Sequence, residues 1–219
     1  MNWPFLAVVF SGWLYIDAIY RGPAWQKWLF KPITLGLLLL WAWQAPKLAM
    51  YDYLILCGLA LSLVGDALFA LSKERLLPVI GAYFACYLLY TIRFAVPLNF
   101  SFHAALFVGV LIVFIAVIAL IWSALEEMRW PVLIYFALAS LMVWIGGERY
   151  LAQSDGASLS MVIGSLLLWI SSALWLLNLY RFSLKAGEGV IASCYFLGHF
   201  MIVRALHMVS SVEISVPTV

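Results

Sequence analysis

Apolar residues run along this chain in eight long blocks, each closed by a short polar break. The blocks lie near residues 3–20, 29–45, 51–71, 76–96, 103–125, 130–148, 158–180 and 190–209. Crossing the hydrocarbon core of a bilayer takes ~20 mostly apolar residues in helical form. Each block therefore predicts one transmembrane helix. The breaks include Arg21-Gly22-Pro23, Ser72-Lys73-Glu74-Arg75, Glu126-Glu127-Met128-Arg129, Gln153-Ser154-Asp155-Gly156 and Lys185-Ala186-Gly187-Glu188. Proline placement fits these bounds. Pro4, Pro32, Pro78 and Pro131 fall in predicted first turns, where a missing N–H costs little. Pro46 and Pro97 close helices, Pro23 falls in a loop and Pro217 in the tail. The expected fold is all-α: a polytopic membrane protein of about eight transmembrane helices, with residues 1–219 forming a single integral membrane domain.

Composition strengthens this reading. The chain is 67% hydrophobic and 10% charged, against roughly 45–50% and 25% for soluble domains. A net charge of +2 without any basic run gives no footprint for nucleic acid. Cys57, Cys86 and Cys194 sit singly in apolar blocks and read as small packing residues. Met1-Asn2-Trp3-Pro4 has no basic segment ahead of the first block. That block is expected to stay as a helix and not to be removed as a signal peptide.

Lysine and arginine set the expected orientation. Odd-numbered connections and nearby helix ends hold eight of them: Arg21, Lys27, Lys31, Lys73, Arg75, Arg129, Arg181 and Lys185. The other side holds Lys47, Arg93, Arg149 and Arg204. Odd connections should face the cytoplasm and both termini the opposite side. Trp25, Trp28, Trp41, Trp43, Trp122 and Trp130 fall near block ends, where an interfacial aromatic belt belongs.

The halves also resemble one another. Gly65-Asp66-Ala67-Leu68-Phe69 in helix 3 is similar to Ser171-Ser172-Ala173-Leu174-Trp175 in helix 7, at an offset of 106. Tyr83-Phe84-Ala85-Cys86-Tyr87 in helix 4 is similar to Tyr195-Phe196-Leu197-Gly198-His199 in helix 8, at an offset of 112. Two parallel four-helix repeats would explain the order of these blocks; chance likeness between apolar helices is the competing account.

Helix 5 and the middle of helix 2 carry almost no polar side chains and should face lipid. The polar groups in the other blocks are the functional candidates, because an ionisable side chain at a helix centre costs at least about 2.5–3.5 kcal/mol. Asp66 is foremost; burial would hold it as a neutral acid, the state a proton donor needs. Its other reading is an ion pair with Lys31. Lys31 lies on the same side and suits either a phosphate headgroup or a carboxylate partner. Asp17, near the same end of helix 1, is expected to join this cluster or to be a solvated helix end. His199 sits mid-helix. Tyr87, Tyr90, Ser171 and Ser172 offer hydroxyls, for a ligand or as ties between helices. Glu148 and Arg149 are expected to form a local ion pair on the opposite side. No metal set is present, since His103, His199 and His207 fall in no H-E-x-x-H or Cys/His cluster. No cofactor fingerprint or G-x-S-x-G elbow occurs.

Several stretches together resemble the YhhN-like lysoplasmalogenase family, with the enterobacterial YhhN-type branch the nearest likeness. They are Phe30-Lys31-Pro32, Gly65-Asp66-Ala67-Leu68, Gly81-Ala82-Tyr83-Phe84, Leu88-Leu89-Tyr90, Gly146-Gly147-Glu148 and Tyr195-Phe196-Leu197-Gly198-His199. The likeness covers essentially the whole chain and rests on order and helix placement. It implies an eight-helix enzyme of the bacterial inner membrane. Such an enzyme cleaves the vinyl ether of a lysophospholipid to a fatty aldehyde and a glycerophospho-base, without metal or cofactor. That reaction opens with proton transfer to the vinyl carbon. On this likeness Asp66 would be the acid, His199 would position water or relay the proton, and Lys31 would hold phosphate. Two departures stand out. Family members typically carry a Ser-Asp pair in helix 7, where this chain has Ser171-Ser172. They commonly carry His where it has Tyr87. The partner carboxylate of a two-acid mechanism is thus missing, and His199, the repeat equivalent of Tyr87, is the group that would compensate. Two other classes compete: a non-catalytic lipid-binding or lipid-transport protein of the same fold, and a small-molecule transporter with a polar path from Asp66 past His199 to Arg204.

Overall fold

The structure, a computed structural model, describes residues 3–46, 48–71, 76–96, 102–182 and 185–215. Lys47, Pro97, Pro217, the break at residues 72–75 and the first two residues lie outside the described residues, as do the side chains of Lys27, Trp28 and Lys185.

Among the described residues, eight α-helices follow in order: α1 Trp3–Tyr20, α2 Ala24–Trp43, α3 Tyr53–Leu71, α4 Leu76–Ala95, α5 Ala104–Ile121, α6 Arg129–Gln153, α7 Gly156–Tyr180 and α8 Lys185–Ser215. One 3-10 turn precedes α3 and two join α5 to α6. Among the described residues there is no strand. Among the described residues, six helices are long and apolar enough to cross a membrane, namely α3 to α8, and the described apolar stretches of the first two, Leu6–Tyr20 and Leu29–Trp43, are shorter.

Element ends depart from expectation where polar residues are helical. α2 starts five residues early, with Pro23 at its N-cap, so Pro32 lies inside the helix. α8 takes up the expected loop at residues 185–188. α6 and α7 are separated only by Ser154 and Asp155. Ser154 closes α6 in the left-handed region (φ 50°, ψ 31°). Asp155 opens α7 by accepting from the Ser158 amide at 2.7 Å, while its own amide donates to the Ser158 hydroxyl at 3.2 Å. Burial works against the Asp155 charge. The Ser158 hydroxyl and amide outweigh it and hold the carboxyl below the usual carboxylate range. Asp155→Ala should cost about 1 kcal/mol, as N-cap losses do. A carboxyl with a lowered folded-state value adds stability that is complete above its unfolded value and fades as pH falls through the folded one. The gap in thermal midpoint between wild type and Asp155→Ala should therefore close in acid.

The core is built mainly from helices adjacent in sequence, with α4 against α6 the exception. α7 and α8 share the most extensive interface, followed by α3 with α4, and then by α1 with α2 and α4 with α6. α7 and α8 cross on glycine. A Cβ on Gly164 would sit 2.8 Å from the Gly198 carbonyl, and one on Gly198 would sit 3.0 Å from the Gly164 carbonyl. Small residues at such crossings let membrane helices meet backbone to backbone. α5 is the least enclosed helix, as its lack of polar residues predicts. α2 is not: Leu35, Leu38 and Ala42 are buried on one face while Leu40 and Trp43 are exposed. Trp25, Trp43, Trp122 and Trp130 are exposed. Trp41 is stacked between Phe200 and His207 of α8 and is no part of a belt.

At one end of the bundle, charge does structural work. Arg93 of α4 donates to Asp52, just ahead of α3, at 2.7 Å, and both side chains are buried. The expected Glu148–Arg149 pair does not form. Glu148 accepts from the His103 amide (2.7 Å), the His103 ring (2.8 Å) and Trp144 (3.1 Å). Arg149 reaches the Arg93 and Phe94 carbonyls at 3.4 and 3.3 Å, capping the last turn of α4. Neighbours in sequence point about 100° apart on a helix, so each found partners on another element.

Candidate active site

Three spacings on three helices build the site. Tyr83, Tyr87 and Tyr90 recur at i, i+4 and i+7 along α4. Ser62 and Asp66 lie four apart on α3, and Tyr195 and His199 four apart on α8. Each set therefore shares a helix face. Packing α3 against α4 and α8 turns these faces toward one another.

Asp66 is 2% exposed and fully engaged. Lys31 of α2 places its ammonium 2.6 Å from Oδ1. Tyr83 donates to the same oxygen at 2.5 Å, and Tyr195 donates to Oδ2 at 3.1 Å. Gly65 makes room for this: a Cβ there would stand 3.0 Å from the Tyr83 ring. The Lys31 ammonium also lies 5.2 Å from the centre of the Tyr195 ring. Of the two partners the sequence allowed Lys31, a phosphate or a carboxylate, the fold supplies the carboxylate.

A hydrogen-bonded chain runs inward from Asp66. Tyr195 bonds Ser62, Ser62 bonds His199 Nε2 (3.1 Å), and His199 Nδ1 bonds Tyr90 (3.0 Å). Its direction follows from counting protons. Tyr195 spends its proton on Asp66, so Ser62 must donate to Tyr195. His199 Nε2–H must then donate to Ser62, and Tyr90 must donate to Nδ1. Every O–H and N–H in the chain points toward Asp66. His199 is fully buried. It reaches Asp66 through two hydroxyls and not directly.

A second polar knot surrounds Ser172. Its hydroxyl donates to the Leu168 carbonyl (2.8 Å) and accepts from Tyr135 of α6 (2.8 Å). Tyr87 shares a bond of 2.9 Å with the same oxygen. With its proton committed and two bonds accepted, Ser172 has nothing left for acid, base or nucleophilic work. Ser171 donates to the Ile191 carbonyl of α8 at 2.9 Å, a tie between helices.

Both groups face one cavity of about 780 Å³, and its lining includes Lys31, Asp66, Tyr87, Tyr135, Ser172 and Trp175. It extends past Leu71, Asn178 and Glu188, where α3 and α7 end and α8 begins. Such a volume suits a drug-sized or amphiphilic ligand. Tyr90 and His199 lie behind this wall. Asp17 does not join the cluster: it is exposed and the cavity is lined instead by Tyr15, a little over half a turn away on the other face of α1. Arg204 is also exposed and donates to Ser160 at 3.3 Å, apart from the chain through His199.

The family model for YhhN matches residues 26–206, spanning every element that forms the cavity wall except α1. The chain belongs to the YhhN family. Curated relatives named "Uncharacterized membrane protein YhhN" occur in Escherichia coli O6:H1 (strain CFT073), Escherichia coli O157:H7 and Shigella flexneri. Each is 47% identical over 208 residues, covering 95% of this chain and all of the relative. The relatives' name and the apolar helices agree that this YhhN family member is a membrane protein. No solved structure is detectably similar. Within the site, Ser62, Tyr135 and the roles of Tyr83 and Tyr195 were not read from the sequence. The four-residue spacing of Ser62 from Asp66 and of Tyr195 from His199 was the available signal. Tyr135 had none, being one hydroxyl in an apolar helix.

Proposed function

We propose that the protein is a lysoplasmalogenase-type hydrolase, cleaving the vinyl ether of a lysophospholipid to a fatty aldehyde and a glycerophospho-base. The observation that carries this reading is a single buried carboxylate, Asp66, gripped by Lys31, Tyr83 and Tyr195 at the wall of an amphiphile-sized cavity. Inside a low-dielectric bundle, desolvation works against a buried ion pair. A proton passing from Lys31 to Asp66 makes the neutral acid. Asp66 then protonates the vinyl carbon, leaving an oxocarbenium ion next to the restored carboxylate, which stabilises the positive charge. Water adds to the adjacent, oxygen-bearing carbon and returns a proton to Lys31. The hemiacetal then breaks its C–O bond to release aldehyde and alcohol. The chain through His199 aims Tyr195 at Asp66 and so places the carboxylate.

All eight helices act as spans in this reading, as two parallel four-helix repeats. Its support is the matching neighbours of Asp66 and Ser172, each bonded by a residue of the preceding helix: Lys31 on α2 and Tyr135 on α6. In this reading both termini face the periplasmic side of a bacterial inner membrane and the cavity faces the cytoplasmic leaflet, with the bias of lysine and arginine as support.

The test is aldehyde release by purified protein in detergent, from a lysoplasmalogen and from the matching saturated alkyl ether. Release is expected from the first only. No release by protein that still binds the alkyl ether would sink the hydrolase and leave a lipid-binding member of the fold. The saturation of Ser172 is the observation on that side, since it removes the second reactive group.

A further inference from the structure

The knot around Ser172 has a chemistry of its own. Its three hydroxyls contribute three protons, and the bonds account for all of them. Ser172 donates to the Leu168 carbonyl, and Tyr135 donates to Ser172. The Tyr87–Ser172 bond must then run from Tyr87. The Tyr87 and Tyr135 rings are stacked, with centroids 5.6 Å apart and planes 19° apart, so their oxygens lie side by side on Ser172. All three residues line the cavity. The knot therefore offers lone pairs and no donor. A phosphate or carboxylate would meet acceptors only and be refused. A group with an O–H to give would be held.

From this we propose that Tyr87 and Tyr135, keyed by Ser172, form a subsite for an O–H donor, the free alcohol of a lysolipid next to its scissile ether. The inference rests on the hydrolase reading for its ligand. Tyr87 is one helical turn from Tyr83, which holds Asp66; four residues rise about 6 Å. In a 1-alkenyl lysolipid the free glycerol oxygen lies five bonds from the vinyl carbon that accepts the proton, a staggered path that spans about 6 Å end to end at ~1.5 Å per bond. One molecule can thus present the carbon to Asp66 and the hydroxyl to the tyrosines. Esterification of that hydroxyl removes the proton and adds bulk, so the subsite selects lysolipids over diacyl lipids. A site built to bond a hydroxyl discriminates strongly against analogues lacking it, because its buried polar atoms go unpaired. The attacking water is the other O–H donor this pair of oxygens can hold.

The experiment uses a hydrolysis-resistant probe, 1-O-alkyl-2-hydroxy-glycerophosphoethanolamine, with its 2-deoxy and 2-O-methyl analogues. Calorimetry measures binding to the full-length protein in detergent. Wild type is expected to bind the hydroxy probe about tenfold more tightly than either analogue. Tyr135→Phe and, separately, Tyr87→Phe should bring the three to within about threefold. The methyl ether separates donation from size, since it keeps the oxygen and loses the proton. Tenfold preference that persists in both variants overturns the assignment. Equal binding of all three by wild type overturns the substrate alcohol as occupant, and needs no variant to fold. In that case, a fall in aldehyde release in Tyr135→Phe at unchanged affinity assigns the O–H to the attacking water. No fall removes the subsite altogether. The probe has no vinyl ether, so the preference is measurable even if the protein releases no aldehyde, and the two readings fail separately.

Discussion

Asp66→Asn should lower aldehyde release by about 10²–10⁴-fold, the range for loss of a general acid. At 1.36 kcal/mol per decade that is roughly 3 to 5 kcal/mol of barrier. The amide keeps the shape and its one oxygen can still accept from Tyr83 or Tyr195, but not from both at their separate positions; it has no acidic proton and cannot become the carboxylate that faces the oxocarbenium ion. Asn also leaves the Lys31 ammonium without its partner at 2.6 Å, so stability must be measured beside rate. The informative comparison is Asp66→Glu. It retains the acid and the ion pair with Lys31 but displaces the carboxyl by about one C–C bond, ~1.5 Å. Misplacement of that size costs up to about 10²-fold. If both variants stay folded and both are slow, position and acidity are both required. Asn retaining a rate within threefold of wild type would end the role of Asp66 as the acid. Lys31→Met completes the series. It removes the proton source of the pair, and should slow release while leaving a folded bundle whose Asp66 still accepts from two phenols.

How far the sequence led can be traced residue by residue. Period and length located all eight helices, because lipid demands long apolar runs with internally satisfied backbones. They located ends poorly. Residues 185–188 are polar yet helical, since outside hydrocarbon a helix needs no apolar residues and the pattern loses its signal. Asp66 stood out because a lone acid in an apolar helix requires an explanation, and Lys31 was among its foreseen partners. His199 stood out for the same reason, but its link to Asp66 needed Ser62 and Tyr195, whose hydroxyls are ordinary in sequence and decisive in register. Of the two readings of Asp17, the solvated helix end holds and the cluster does not, because counting residues from a helix end gives depth and not rotation; its side chain is exposed while Tyr15 lines the cavity. The knot at Ser172 was half legible. The departure from an acid was visible, whereas the hydroxyls that saturate Ser172 come from α4 and α6, far away in the chain.

The largest loss of stability should come from the other end of the bundle. Arg93→Met is expected to cost about 3–5 kcal/mol, the range for removing one partner of a buried ion pair. Asp52 and Arg93 are 3% and 7% exposed at the side chain, so water cannot take up the role of the missing charge. Asp52 has a second duty: its other oxygen accepts from the Ala49 amide at 3.0 Å and closes the turn that starts α3. Arg93 holds that turn against α4, whose final carbonyls are in turn capped by Arg149 of α6. One pair thus ties α3 to α4 and, through the Arg149 cap, to α6. The register of α3 against α4 that it fixes also sets Tyr83 on Asp66, some 14 residues further along α3. The expected result is a large fall in thermal midpoint in detergent, with lipid-probe binding lost in parallel as the register loosens. Asp52→Leu with Arg93→Met, which removes both charges, should recover much of the midpoint, because replacing a whole buried pair with apolar residues is often neutral or better. Failure of the double variant to recover would show that the Ala49 bond to Asp52, and not the ion pair, holds this end together. A single Arg93→Met with an unchanged midpoint would show that the pair carries none of the packing of α3 on α4.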